Sequence, residues 1–276
     1  MTTPARSVVR PGSKTSRQEA PVLDAPIVIG LLGSFRIFKA GCPLTLRNAD
    51  KTRALLCNLA LQDHFAASRE QLLHTLWPQA QNGSAGQSLN SLVYSVHKLL
   101  GDALGGTAPV IYADGYYRLN VEAGIAVDVV RFEALVREGT RRIRTDQTSA
   151  AIQAYEQAVQ LYRGDLCNVS DIRSLMLCEA LRAQYLRLLA EMADHYCTKQ
   201  DYTACLAYAH QLLAADPCRE DAHRLIMRCY VRQGQRAQAL RQYRVCENML
   251  HTEFDAIPEA TTVELYHQIR LHPDSV

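Results

Sequence analysis

Between residues 84 and 100 the apolar side chains Leu89, Leu92, Val93, Val96, Leu99 and Leu100 recur at helical spacing, with polar residues between them. Gln87, Asn90, Ser91, Tyr94, Ser95, His97 and Lys98 lie off that apolar stripe. Glutamine and asparagine carry the donor–acceptor pair that matches an adenine edge. Serine, tyrosine and lysine suit phosphate and sugar oxygens. The pattern therefore predicts a helix that contacts double-stranded DNA. Arg118, in an alternating segment downstream, and Lys51 and Arg53 upstream are further cations for that surface. His97 also admits a plainer reading, as a solvated histidine on the helix face.

Other chemistry is hard to assemble. No nucleophile stands with a base in a known catalytic pattern: H-E-x-x-H and G-x-S-x-G are absent, as is the phosphate-binding G-x-x-x-x-G-K-[ST] loop. Neither an enzyme nor a cofactor is expected. The nine cysteines (42, 57, 167, 178, 197, 205, 218, 229 and 246) form no C-x-x-C pair and show no zinc-ligand spacing with histidine. Reduced thiols packed as small hydrophobes are expected, and no metal site; a redox switch is the alternative.

The elements that must position the contact helix follow from patterning. Ile27 to Leu32, Phe35 to Phe38 and Leu44 to Leu46, separated by turns at Gly33-Ser34 and Ala40-Gly41, predict a small antiparallel sheet. A first helix runs from about Ala49 to Gln62 with Asn48 as its cap. A second starts at Ser68, where Gln71 completes a capping box, and stops at Pro78. Trp77 at its end reads as core rather than as a recognition feature. The contact helix is third, ended by Gly101. Val110 to Tyr112 and Tyr116 to Leu119, joined by Asp114-Gly115, predict a hairpin.

From Asp128 onward the pattern is helical. Asp128 is expected to cap a helix through Val136, and Thr148 or Ser149 another through Leu161. Further amphipathic segments fall at 174–198, 202–215, 219–233, 236–252 and 259–271. The stretches opening at Leu206 and Leu240 correspond at a 34-residue period, with small residues Ala204, Ala209, Ala237 and Ala239 where helices approach. That period predicts tetratricopeptide-like repeats. The tyrosines of these segments read as packing residues. Arg141-Arg142-Ile143-Arg144 reads as a solvated stretch, with a phosphate or acidic partner as the alternative.

The expected fold is mainly α. An N-terminal winged helix-turn-helix with a small β-sheet and a wing hairpin precedes a C-terminal all-α repeat domain. The expected division is 1–26 a disordered arm, 27–120 the DNA-binding part and 121–276 the helical-repeat part. Composition agrees: 276 residues, 48% hydrophobic and 21% charged, describe a globular chain. No uncharged apolar run reaches the roughly 18 residues needed to span a bilayer, and the first 26 lack the apolar core of an export signal, so a cytoplasmic protein without membrane contact is expected. The net charge of +2 is uneven: residues 27–120 carry eight Lys/Arg against five Asp/Glu, and residues 121–276 carry 18 against 21. A front half facing phosphate and a back half facing protein fit that polarity.

These motifs together resemble one family. Lys51-Thr52-Arg53-Ala54-Leu55-Leu56, Ser68-Arg69-Glu70-Gln71-Leu72, Leu76-Trp77-Pro78 and Gly115-Tyr116-Tyr117-Arg118-Leu119 look like the response-regulator type of winged helix in SARP-family activators. Asp216-Pro217-Cys218-Arg219-Glu220-Asp221-Ala222-His223-Arg224-Leu225-Ile226-Met227, and Tyr230 through Gln235, resemble their bacterial transcriptional activator domain (BTAD). The resemblance covers about residues 30–271. It implies cooperative binding to direct repeats at a promoter and recruitment of RNA polymerase, without enzymatic activity or cofactor. A small-molecule or protein effector on the repeats and a homodimer are further expectations. The contact helix departs from the family's arginine-rich pattern: Tyr94-Ser95-Val96-His97-Lys98-Leu99 carries one certain charge. A regulatory repeat module with weak or lost DNA binding is the alternative.

Overall fold

Ile27–Gly30, four fully buried residues, form strand β1 in the computed structural model of the chain, which describes residues 24–46, 49–79, 84–167, 169 and 171–275. The expected arm thus falls almost wholly outside the described residues. β1 pairs antiparallel with Arg36–Lys39 (β2), and β2 with Cys42–Pro43 (β3). The third strand lies ahead of the expected Leu44–Leu46. Ala40 and Gly41 both take positive φ and close a two-residue turn, so pairing resumes at once with Lys39 opposite Cys42. Leu44 continues the ladder only by donating its N–H to the Ile37 carbonyl at 2.8 Å.

Helix α1 (Asp50–Leu61) buries Thr52, Leu55, Leu56, Cys57 and Leu59. Its expected cap, Asn48, lies outside the described residues, and Ala49 supplies no side-chain cap. A short strand β4 (Ala66–Ser68), unforeseen in the sequence, leads into α2 (Arg69–Leu76). The capping box is formed: Ser68 Oγ accepts from the Gln71 N–H at 3.1 Å, and Gln71 Oε1 accepts from the Ser68 N–H at 2.9 Å. Helix α3 (Ser84–Leu100) follows, then β5 (Val110–Ala113) and β6 (Tyr116–Leu119). The loop between these strands is Asp114-Gly115, with φ of 51° and 83°, the two left-handed positions that make Asp-Gly a favoured hairpin turn. β6 also pairs with β4, so the wing is a three-stranded sheet in the order β4-β6-β5.

Strand β7 (Ile125–Val127) lies beyond residue 120, yet it pairs in parallel with β1 and completes the sheet β3-β2-β1-β7. The helices are then α4 (Asp128–Arg144), α5 (Thr148–Leu161), α6 (Ile172–Thr198), α7 (Tyr202–Ala215), α8 (Glu220–Arg232), α9 (Arg236–Phe254) and α10 (Ala260–Leu271). Asp128 is not the cap that its type predicted. It is the first helical residue, buried, and its carboxylate accepts the N–H groups of Leu31 and Leu32 at 2.8 and 3.1 Å. Two amides left unpaired where the chain leaves β1 need an acceptor there, and the β1–β7 pairing brings Asp128 to them. α4 continues past Val136 to Arg144, so Arg141 and Arg142 sit in its last turn, both paired with Glu138. α5 begins without a side-chain cap, whereas Asp171 and Ser174 form a second capping box at the start of α6.

α7 and α9 start 34 residues apart, the period read from the sequence. Successive helices from α6 to α10 pack in chain order. Ala209 and Ala239 are buried at these contacts; Ala204 is half-buried and Ala237 exposed. Tyrosine rings stack along the array: Tyr162 on Tyr185 at 4.1 Å, Tyr196 on Tyr208 at 5.6 Å and Tyr243 on Tyr266 at 4.2 Å. One continuous apolar core runs from β1 to α6 and includes partly buried Trp77, while smaller clusters fill the junctions of α6 with α7 and α8, and of α8 with α9 and α10. Among the described residues no helix is long and apolar enough to cross a membrane.

Candidate nucleic-acid interface

The apolar stripe of α3 fixes what its other face presents. Leu89, Val96 and Leu100 are fully buried in the main core, and Leu92, Val93 and Leu99 pack against it. Gln87, Asn90, Ser91, Tyr94, Ser95 and Lys98 are all exposed, Tyr94 to 69%. The stripe therefore anchors the helix and leaves these six side chains on its outer face. His97 is placed differently. It is half-buried, and its Nε2 lies 2.8 Å from the Val110 carbonyl, so its ring ties α3 to the first strand of the wing. In this arrangement the ring faces the wing rather than open solvent.

A second link joins α3 to the wing. The Tyr117 hydroxyl donates to Asn90 Oδ1 at 3.0 Å and accepts from Arg69 Nη1 at 3.5 Å. Burial pushes the Tyr117 hydroxyl above the usual tyrosine range, against the opposing pull of the Arg69 charge, so it stays a donor. Asn90 Oδ1 keeps its second lone pair and Asn90 keeps its amide hydrogens, which is what an adenine edge requires. Arg69 opens α2 and lies over the start of α3, where Gly86 leaves it room: a Cβ there would stand 2.5 Å from the guanidinium. The Arg69 N–H also donates to the Gly115 carbonyl of the wing turn at 3.1 Å. Sequence pattern did not single out Arg69 and Tyr117 as links between α2, α3 and the wing, although their places in the first helical turn and on the inward face of an alternating strand are visible in the sequence.

The wing alternates as expected, with Tyr117 and Leu119 buried and Tyr116 and Arg118 exposed. Tyr112 packs on Tyr117 with ring centroids 4.6 Å apart and is itself exposed. The outward charge of the front half is smaller than its eight cations imply. Lys39 is paired with Asp102 at 2.6 Å and bonds the Leu99 carbonyl. Arg36 bonds the Leu32 carbonyl. Lys51 donates to the Leu76 carbonyl and lies 5.1 Å from the Trp77 ring centroid. Arg53, exposed on α1, stands over Phe35 at 5.8 Å. Among the described residues, the cations left beside α3 and the wing are Arg69, Lys98 and Arg118, so the site combines few charges with an unusual number of tyrosines. Among the described residues, the one grouping of ligand-type side chains close enough to hold a metal ion lies far off, in the repeats.

Residues 127–270 match the bacterial transcriptional activator domain family. The transcriptional regulatory protein MoaR1 of Mycobacterium bovis is 23% identical over 248 residues, covering 88% of this chain and 79% of that protein. The regulatory protein DnrI of Streptomyces peucetius is 28% identical over 229 residues, covering 80% and 84%. The structure of Mycobacterium tuberculosis EmbR in complex with a low affinity phosphopeptide superposes with a TM-score of 0.67 at 23% identity. It covers 90% of this chain, which spans 65% of the EmbR chain, and the likeness is one of fold.

Proposed function

Because the chain belongs to the bacterial transcriptional activator domain family, and among its relatives to the SARP-type regulators, we propose that it binds promoter DNA through α3 and the wing and activates transcription by recruiting RNA polymerase. The observation that carries the contact surface is the single exposed polar face of α3, held rigid by the bonds of His97 and Asn90 to the wing. Gln87 and Asn90 read base edges. Ser91, Tyr94, Ser95 and Lys98 hold the backbone, Arg118 reaches it from the wing, and Arg53 stands beside the site on α1. Lys51, fixed on the end of α2, orients α1 against that helix. Two copies on a direct repeat give the tandem arrangement, and the repeat helices face the polymerase. A regulator of bacterial promoters works in the cytoplasm, without cofactor or catalysis. The division into a DNA-reading part to residue 120 and a repeat part from 121 is functional; the shared sheet and core make the two halves one mechanical body.

With three cations at the interface, the slope of log affinity against log salt is expected near −3 per copy, at about 0.9 per phosphate neutralised. Lys98→Ala and Arg118→Ala should each flatten it by about one unit and weaken all sequences alike. Asn90→Ala should instead cost about 1–3 kcal/mol on the cognate repeat and little elsewhere. Fluorescence anisotropy on a direct-repeat duplex, between 50 and about 200 mM salt, checks both. Equal binding by all three variants and the wild type would remove α3 from the interface.

A second reading rests on the low charge of α3: the repeats act as a regulatory module that takes a small molecule or protein effector. A depression of about 780 Å³ lined by Ile152, Tyr155, Arg187, His195 and Lys199 is the place for it. An effector that changes DNA affinity must itself be bound differently in the presence of DNA, which joins the two readings.

A further inference from the structure

Three cysteines that lie 8 and 24 residues apart in sequence meet at one point in the repeats. Cys197 ends α6, Cys205 stands in the first turn of α7 and Cys229 lies in α8. Their sulfurs are all within 4.8 Å of one another, and those of Cys205 and Cys229 are 3.3 Å apart. Three sulfurs each about 2.3 Å from a shared central atom stand roughly 3.5–4.0 Å from one another, inside that range. Cys205 and Cys229 are fully buried among Ala193, Ala209 and Ile226, while half-buried Cys197 leaves a way in.

Charge decides what could sit there. The main electrostatic influences on the three thiols come from one another, and Asp194 adds a negative one beside Cys197. Three thiolates around a monovalent or divalent ion would leave net negative charge in an apolar interior, which is costly. A trivalent centre makes the cluster neutral. We propose that Cys197, Cys205 and Cys229 form a site for a trivalent thiophilic metalloid of the arsenite class, held by sulfur alone. The exchange balances without any oxidant: As(OH)₃ and three thiols give As(SR)₃ and three waters, each thiol proton leaving with one hydroxide. Occupation would clip α6, α7 and α8 together.

The test uses the full reduced chain titrated with arsenite, read by near-ultraviolet sulfur–arsenic absorption and by native mass. One arsenic per chain with loss of three hydrogens is expected, together with a rise in melting temperature. Cys197→Ser, at the least buried of the three positions, should lose the absorption and the thermal shift while keeping the wild-type circular dichroism. Cys57→Ala, at a thiol outside the cluster, should keep both. Four results overturn the proposal: no stoichiometric uptake, uptake unchanged in Cys197→Ser, copper(I) or zinc displacing arsenite at equal concentration, or a Cys205–Cys229 disulfide in protein purified without oxidant.

Discussion

Replacing Asp128 with alanine is expected to lower the stability of the whole chain by about 3–5 kcal/mol, because it strands two buried backbone donors and the nearby charge of Arg36. The carboxylate is the acceptor for the Leu31 and Leu32 N–H groups, with Arg36 3.9 Å away. It lies where β1, β7 and α4 meet, so the loss falls on the joint between the DNA-reading part and the repeats. Asp128→Asn keeps one acceptor oxygen, which from the Oδ2 position is within reach of both amides, and should lose about half as much. Desolvation holds the Asp128 carboxyl above the usual carboxylate range, opposed by the amide bonds and by Arg36. The folded state therefore favours the protonated form more than the unfolded chain does. The stability of the wild type relative to Asp128→Asn should be greatest in acid and decline as pH rises from the ordinary carboxylate value through the raised one. Denaturant unfolding of the three proteins across pH measures both effects, and an alanine variant as stable as the wild type would remove Asp128 from the joint.

The second large effect is expected at Gly139, where α4 crosses α5. A Cβ at this position would stand 2.2 Å from Cε1 and 2.5 Å from Cδ1 of Tyr155. That ring is buried, and its hydroxyl is 3.3 Å from Thr140 Oγ1, so it cannot swing aside. Alanine in mid-helix gains about 1 kcal/mol over glycine in propensity. Overpacking a rigid contact costs about 1–3 kcal/mol, and more when backbone must move. Gly139→Ala should therefore be destabilising overall. In a Tyr155→Leu background the clash is absent and the same change should be neutral or stabilising, a sign reversal that a double-mutant cycle reads directly. Equal effects in both backgrounds would contradict the packing argument.

What could be read from the sequence was whatever is local and periodic. The α3 stripe, the Ser68–Gln71 capping box, the Asp-Gly hairpin and the 34-residue offset of α7 and α9 each leave their mark within a few turns of chain. What escaped depends on partners far away. β4 is Ala-Ala-Ser and carries no strand propensity; it is a strand because β6 offers it a ladder. β7 is three residues long and pairs with β1, 98 positions back. Asp128 has the type of a cap, and only that pairing turns it into a buried acceptor. His97 and Asn90 lie on the polar side of α3 by period, but their bonds to Val110 and Tyr117 reflect the docking of the wing. Cys197, Cys205 and Cys229 follow no ligand spacing because three different helices supply them. The charge count misled for a related reason, since Lys39, Arg36 and Lys51 are occupied within the fold.

The central claim is that α3 and the wing read DNA despite carrying few charges. Selection of fragments of the source genome by the purified chain at low salt, followed by sequencing, tests it most directly. The expected result is enrichment of a small set of promoter-proximal fragments carrying direct repeats, lost with Asn90→Ala and diminished evenly with Lys98→Ala. Retention of no fragment above background, or of the same fragments by the Asn90→Ala variant, would contradict it.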